Sequence, residues 1–282
     1  MKKSEMVEST GRDDTTHRAI EILEILHRLN GSARTTHLAD AMGVSEETVR
    51  RTVKKLSKKG IVARVHGGVY LTGEVQEPSF FHRIGKRSRE KRRIAKAAAS
   101  LVGDGNSLFL DVGSTTNFVA AALASLSGIQ VVTNSVNVAK SLMQQNGNRV
   151  HFAGGELQMD KCGTFGRETL SFIDRFFFDV AILSADAFDM EHGFLLQDPS
   201  EADVANAVIS KTRKTVFVVD QTKFSLTAPM ISGRPGNVDF LVTDADLPIP
   251  VSETLNRWGT EVIVASDDGR VGRVGTSLRT VG

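Results

Sequence analysis

From Leu108 onward the chain repeats one pattern: a short apolar run, a polar or glycine-containing turn, then a stretch with helical spacing. The runs fall at Leu108–Leu110, Val131–Thr133, Val150–Ala153, Phe178–Ser184, Val216–Asp220, Phe240–Thr243 and Val262–Ala265. Helical stretches stand between most of them, at Thr116–Leu126, Val136–Gln145, Glu201–Lys211 and Ser252–Trp258. Strands buried on both faces read as continuous apolar runs, and parallel neighbours need a crossover that is usually a helix. The alternation therefore predicts an α/β domain with a mostly parallel sheet. Ligands of such sheets bind beyond the carboxyl ends of the strands.

The residues before this pattern differ in charge. Residues 1–96 hold 21 Lys and Arg against 12 Asp and Glu, a balance of +9, while residues 97–282 hold 14 against 21, a balance of −7. A basic N-terminal part suits a polyanion such as DNA, and an acidic body suits a small ligand. With 282 residues, 40% of them hydrophobic, there is material for two cores. The single cysteine, Cys162, excludes an intramolecular disulfide and points to a reducing compartment. The first residues lack the apolar core of a signal peptide, and no apolar run approaches the roughly 18 residues of a spanning helix. A cytoplasmic protein is expected.

Residues 1–14 are polar and aperiodic and are expected to be a mobile tail. After them Ile20, Leu23, Leu26 and Leu29, with Ile22 and Ile25 beside them, recur at helical spacing until Asn30-Gly31. A second helix is expected from about Thr36 to Met42. Gly43 supplies a turn, Ser45 an N-cap, and Glu46 and Glu47 the acidic first turn of a third helix that stops at Gly60. At about 100° per residue, Val49, Val53 and Leu56 share one sector of that helix. Arg51, Lys54, Lys55 and Lys58 lie opposite, flanked by Thr48 and Arg50, and no acidic residue occurs between Arg50 and Arg64. Two short strands, Ile61–Arg64 and Val69–Leu71, turn at His66-Gly67-Gly68. The pattern predicts a winged helix-turn-helix whose third helix enters the major groove while the wing touches the backbone.

The run from Leu38 to Arg51, followed by Leu56, Gly60 and Arg64-Val65-His66-Gly67-Gly68, resembles the DNA-binding signature of the DeoR family of bacterial transcriptional regulators. Thr52 stands where that family commonly has an aspartate. Together the basic face and the resemblance nominate Thr36, Ser45, Glu47, Thr48, Arg50, Arg51, Lys54, Lys55, Lys58, Arg64 and His66 as DNA-contacting residues. The DNA-binding domain is expected over residues 15–73. A basic linker follows over 74–93, with Arg83, Lys86, Arg87, Arg89, Lys91, Arg92 and Arg93 against Glu90, read as a solvated hinge in preference to a second DNA contact. The sensor domain is expected over 94–282, opening with a helix from about Glu90 to Val102.

Polar residues gather after each strand: Asp111 to Thr116, Asn134-Ser135, Gly154-Gly155-Glu156, Asp186, then Asp220 and Lys223. Glycines let backbone approach a ligand, hydroxyls and N–H groups at a helix N-terminus suit phosphate, and carboxylates and Asn suit sugar hydroxyls. The same segments resemble the C-terminal half of the DeoR family, which is similar in fold to ribose-5-phosphate isomerase. The resemblance rests on Asp111-Val-Gly-Ser-Thr-Thr, Val132-Thr-Asn-Ser, Gly154-Gly-Glu-Leu, Asp186, Asp198-Pro-Ser-Glu-Ala and Asp220 to Phe224. It implies that Gly113, Ser114, Thr115 and Thr116 hold the phosphate of a sugar phosphate. Asp111, Asn134, Asp186 and Lys223 would line the rest of the pocket, and the strand-end pattern adds Ser135, Gly154 and Gly155 as ligand-binding candidates.

The expected function is a sequence-specific repressor of a sugar-catabolism operon, acting as a dimer or tetramer and released from DNA by a phosphorylated sugar. The alternative is a sugar-phosphate isomerase with a DNA-binding appendage, for which Asp198 and Glu201 are candidate bases. The isomerases' glycine-rich loop with its Glu-Lys pair is missing between Gly193 and Val204, so no catalysis is expected. Neither a Gly-x-x-x-x-Gly-Lys-Ser/Thr loop nor a Gly-x-Gly-x-x-Gly turn after a strand occurs. The seven histidines lack metal-site spacing, and His192 reads as a loop residue. No cofactor and no metal are expected.

Overall fold

The computed structural model describes residues 18–26, 29, 32–65, 68–72, 80–143, 145–265 and 271–274. The expected tail at 1–14, the stop at Asn30-Gly31, His66 with Gly67, and residues 74–79 of the expected linker lie outside the described residues. Packing divides the chain into two units, Met1–Pro78 with Ser225–Pro229, and Ser79–Phe224 with Met230–Gly282.

In the first unit, residues 18–26 form helix α1. Its buried stripe is Ile22, Ile25 and Leu26, with Leu23 half-buried against the same core; of the expected stripe Ile20 is exposed. Strand β1 (Ser32–Arg34), helices α2 (Thr35–Met42) and α3 (Glu46–Lys58), and strands β2 (Val62–Val65) and β3 (Gly68–Leu71) follow. Gly43 closes α2 at φ +63°, a left-handed conformation that only glycine adopts without strain. Its N–H donates to the Asp40 carbonyl, and that of Val44 to the Ala39 carbonyl. The turn that aims α3 is thus a property of one residue. The sheet is antiparallel in the order β1-β3-β2, with Arg64 paired to Val69 and Ala33 also paired to Val69 from the other side. Val49, Val53 and Leu56 join Ile22, Leu26, Leu38, Val62 and Val69 in one core.

The second unit opens with helices α4 (Phe80–Gly85) and α5 (Ser88–Ala99). This corrects the expected linker. Ile94, Ala95, Ala97 and Ala98 of α5 are buried, and so is Lys91. The helix expected from about Glu90 to Val102 is α5, which starts two residues earlier; the hinge reading of the residues before it weighed their charges alone.

Eight strands then build one sheet: β4 (Ser107–Leu110), β5 (Gln130–Thr133), β6 (Arg149–Phe152), β9 (Phe178–Leu183), β12 (Thr212–Val218), β14 (Phe240–Thr243), β15 (Glu261–Ala265) and β16 (Val271–Val274), in the order β16-β15-β14-β12-β9-β4-β5-β6. All neighbours are parallel except β15 and β16. The chain enters the sheet at β4, third from one edge, runs outward through β5 and β6, then returns to β9 on the other side of β4 and runs outward again. The topological switch point therefore lies between β4 and β9, where a crevice is expected at the carboxyl ends.

Each strand feeds both faces. On β4, Leu108 and Leu110 enter the core that contains Ile94 and Val119, while Phe109 enters the opposite one with Phe178 and Phe217. Helices α5, α6 (Ser114–Leu123) and α7 (Val136–Leu142) supply the first core. Helices α8 (Arg167–Ile173), α9 (Pro199–Ile209) and α10 (Ile249–Arg257) supply the second. A small antiparallel sheet, β10 (Ala187–Asp189), β11 (Gly193–Leu196) and β13 (Met230–Gly233), adds to that second core through Phe188 and Phe194. Phe194 stacks on Phe217 with ring centroids 4.3 Å apart. A two-residue hairpin, β7 (Leu157–Gln158) with β8 (Gly163–Thr164), follows β6.

Candidate functional site

The basic face of α3 is where the sequence places it. Ser45 caps the helix, accepting from the Thr48 N–H at 3.3 Å, and Glu46 and Glu47 occupy the first turn. Glu47, Arg50, Arg51, Lys54, Lys55 and Lys58 are exposed, as are Ser45, Thr36 at the start of α2 and Arg64 on β2, and Thr48 is half-buried. Arg50 donates to Glu46 at 2.9 Å, an exposed pair of the kind worth little to stability. Thr52 is buried and returns its hydroxyl proton to the Thr48 carbonyl at 3.0 Å. Arg34, Thr36, Glu46, Arg50, Arg64 and Gly68 line a polar crevice of about 260 Å³ where α2, α3 and the wing strands converge. His66 lies outside the described residues.

In the second unit the switch point is occupied by Asp111, the first residue after β4. Its Oδ2 accepts from the Ser184 N–H at 2.7 Å and the Ser184 hydroxyl at 3.0 Å, across to the end of β9. Its Oδ1 is buried with no hydrogen-bond partner. Burial pushes the Asp111 carboxyl up to about 6; the bonds from Ser184 pull it down, and the charge of Asp186 adds to the rise.

Gly113 begins α6 in extended backbone and no side chain caps the helix. A Cβ here would stand 2.4 Å from Ser184 Oγ and 2.7 Å from Thr116 Oγ1, so the absent side chain is what lets β9 approach the helix end. An uncapped N-terminus leaves first-turn N–H groups for an anion. Ser114 is half-buried there and Thr115 buried. Thr116 is committed inward, its hydroxyl donating to the Gly113 carbonyl at 2.9 Å.

Asn134 and Ser135 are also buried and engaged. Asn134 Nδ2 donates to the Thr164 carbonyl at 2.9 Å, and Ser135 caps α7 by accepting from Val138 N–H. Gly154 and Gly155 lie in the exposed turn after β6, where the Thr169 hydroxyl donates to the Gly154 carbonyl at 2.6 Å. Asp186 and Lys223 do meet: Lys223 Nζ is 3.6 Å from Asp186 Oδ1, and the Gln197 N–H donates to Asp186 Oδ2 at 3.1 Å.

Sequence reasoning missed the partners of this cluster. Arg83 Nη1 lies 3.8 Å from the same Asp186 Oδ1. Arg87 Nη2 donates to the buried Asp244 at 2.7 Å, and its Nε is 3.5 Å from Asp220. Lys91 Nζ donates to the Arg83 carbonyl at 2.6 Å. Burial holds the Lys91 ammonium down at about 8; Asp220 opposes the shift, while Lys223, Arg83 and Arg87 add to it. A further buried group is Lys161, whose Nζ lies 2.6 Å from Asp198 and 3.6 Å from Glu201. Burial works against the charge on Asp198, yet bonds from Lys161 and Ser200 outweigh it and hold the carboxyl below the usual range. Asp198 and Glu201, the candidate bases, are thus tied to a cation at the start of α9. No signal in the sequence joins Lys161 to them, because the pairing is made by tertiary folding alone.

Among the described residues no group of three or more His, Cys, Asp or Glu could hold a metal ion, and no helix is long and apolar enough to cross a membrane.

An exposed cationic helix on a winged helix-turn-helix, joined in one chain to an α/β unit with a polar switch point, defines the class of DNA-binding transcriptional regulators that carry a sensor domain. Residues 18–74 match the DeoR-like helix-turn-helix domain and residues 86–245 the DeoR C terminal sensor domain. The chain belongs to the DeoR family. It is 34% identical over 240 residues to the glycerol-3-phosphate regulon repressor of Escherichia coli (strain K12), covering 85% of this chain and 95% of that one. It is 31% identical over 231 residues to the HTH-type transcriptional repressor CsqR of the same strain, covering 82% and 88%. The HTH-type transcriptional repressor GlcR of Bacillus subtilis (strain 168) is 27% identical over 252 residues, covering 89% and 96%. Among solved structures, ribose 5-phosphate isomerase A from Methanocaldococcus jannaschii aligns with a TM-score of 0.40 and 13% identity, over 68% of this chain and all of that one. The three sequence relatives are repressors by name, and the chain is a DNA-binding transcriptional regulator.

Proposed function

We propose that this regulator represses genes of sugar catabolism in the cytoplasm and leaves its operator when a phosphorylated sugar binds the second unit. The observation that carries this is the uncapped N-terminus of α6 at the switch point, where Gly113 opens the backbone and Ser114 and Thr115 stand in the first turn. Such a helix end favours a phosphate. Asp186 and Lys223 offer an acceptor and a cation for the remainder of the ligand, with Asp111 tying the end of β4 to the end of β9 through Ser184. Asn134, Ser135, Thr116, Gly154 and Gly155 act in this scheme by shaping the surrounding turns. That a relative is named for the glycerol-3-phosphate regulon agrees with a phosphorylated ligand of small size.

On the DNA side Arg50, Arg51, Lys54, Lys55 and Lys58 face the major groove, with Thr36, Ser45, Glu47, Thr48, Arg64 and His66 around them. Dimers or tetramers present two such helices to paired half-sites. Ligand binding lowers affinity by favouring an arrangement with the wrong spacing, a coupling of typically about 1–3 kcal/mol.

A thermal-shift screen of phosphorylated sugars, with glycerol 3-phosphate among them, followed by a DNA-release assay with each hit, tests this. A phosphorylated hit should release the operator, and bulky apolar residues in place of Ser114 and Thr115 should abolish release while leaving DNA binding. Release that persists unchanged in that double variant would remove the α6 N-terminus from the mechanism.

A further inference from the structure

Strand β6 ends the eight-stranded sheet and pairs on one side only, with β5. The N–H groups of Arg149 and Ala153 donate to the Ile129 and Thr133 carbonyls at 2.9 and 2.8 Å. Backbone groups of successive residues point to opposite sides of a strand, so those of Val150 and Phe152 face the open edge. Such an edge is a template for another strand, and proteins commonly blunt it with lysine or proline. From Ser141 to Met159 the chain holds neither, and its only charged residues apart from His151 are Arg149 and Glu156.

The side chains around the edge have the composition of an interface. Of the ten exposed large apolar residues among the described ones, five are Val136, Met143, Phe152, Leu157 and Met159, on α7, on β6, and on and just after β7. On the other face of β6 the His151 ring lies 5.4 Å from that of Phe176, and Phe172 continues the row at 5.3 Å. Aromatic residues, Met and Arg are enriched where proteins meet, and Lys and Glu are depleted.

A second copy of this chain is the occupant that fits. In an antiparallel pair, two residues whose backbone groups both point across the seam stand opposite each other and exchange two hydrogen bonds. Setting Val150 against the partner's Phe152 does this on both sides of a twofold axis at His151, so one surface serves both copies. The axis also carries Arg149 of each copy towards the end of the edge where the partner's Glu156 stands. Both residues are exposed, and neither forms an ion pair with a described residue of its own chain. An unrelated strand would satisfy the backbone without answering these two charges.

We propose that two copies of this chain pair through β6, antiparallel about a twofold axis at His151, which joins their eight-stranded sheets into one. The proposal rests on the reading above that two α3 helices are presented to paired half-sites, and it names the surface that pairs them.

The register can be tested chemically in the full chain. At the axis the two residues 151 form a non-hydrogen-bonded pair with Cα atoms about 4.5 Å apart, within the span of a disulfide. His151→Cys in a Cys162→Ser background should therefore give a covalent dimer on oxidation. Ile249→Cys in the same background, exposed on α10, should not. In sedimentation, Phe152→Lys should raise the dimer dissociation constant by about tenfold or more. Arg149→Glu should weaken pairing too, and adding Glu156→Arg should restore it, a rescue that a loosened fold cannot imitate. A disulfide at position 151 that forms no faster than at 249, an unchanged dissociation constant in Phe152→Lys, or a double charge swap as weak as the single one overturns the β6 surface and leaves the paired-helix reading standing. A wild-type chain that stays monomeric at every concentration removes both.

Discussion

Helix α3 and the α4–α5 stretch carry the same kinds of charge in opposite surroundings. On α3, Arg50, Arg51, Lys54, Lys55 and Lys58 are exposed, and the residues from 50 to 64 include no acid to neutralise them. On α4 and α5, Arg83, Arg87 and Lys91 turn inward and meet Asp186, Asp220 and Asp244 at the ends of strands far along the chain. Exposed cations keep their hydration and can exchange counter-ions with a polyanion. Buried cations must be matched inside the protein or by what enters it. A run of basic residues therefore has no function until its partners are known, and the partners are chosen by the fold.

Asp244→Ala should give the largest effect. It leaves the Arg87 charge without its closest partner at a position where the Asp244 side chain is only 1% exposed, and should cost about 2–4 kcal/mol in chemical denaturation, tempered by Asp220 nearby. A loss comparable with that of a surface pair would erase the contrast with α3.

Next comes Asp111→Asn. Burial pushes the folded-state carboxyl up to about 6 from the ordinary 3.8 of an aspartate, so the folded state holds more protons between these values. Stability present below the lower value is lost as pH rises through the higher one. The Asn variant should thus be more stable than wild type at pH 7 by about 1–3 kcal/mol, with the difference vanishing toward pH 4. Denaturation midpoints across that range measure it, and a pH-independent difference would show that the Ser184 bonds, not the charge, dominate.

Arg51→Ala should weaken specific DNA binding by about 1–3 kcal/mol and narrow the gap to random duplex if Arg51 reads a base. Equal losses on both duplexes, with a shallower salt dependence, would make it a phosphate contact. The smallest effect should come from Glu46→Ala, which breaks the exposed pair with Arg50 and should change stability by less than about 0.5 kcal/mol. The ratio between the Asp244 and Glu46 results puts a number on how differently the two basic regions are held.

The strands of the main sheet are legible because burial on both faces leaves an unbroken apolar run, as in Val216–Val219 and Phe178–Leu183. Helix α3 is legible from its cap and its periodicity. Strand β1 is not, since three residues carry no period and owe their strand conformation to pairing with β3. Nor are β10, β11 and β13, whose apolar residues pack against the second core through a register that local sequence does not specify. In the site, Asp111, Gly113, Asp186 and Lys223 stand beside strand ends and can be nominated from the sequence. Arg83, Arg87, Lys91 and Asp244 cannot, because a salt bridge between residues 157 positions apart leaves no trace in either neighbourhood.

The place of β4 in the sheet has a consequence for how the protein is made. This interior strand is the first of the eight to leave the ribosome, and β5 and β6 cover only one of its edges. Its other edge stays open while residues 111–177 are synthesised, for several seconds at roughly 5–20 residues per second. An open apolar strand edge invites pairing with other chains. During that interval the nascent polypeptide depends on chaperones, or on the speed of translation itself, to keep the place of β9 vacant.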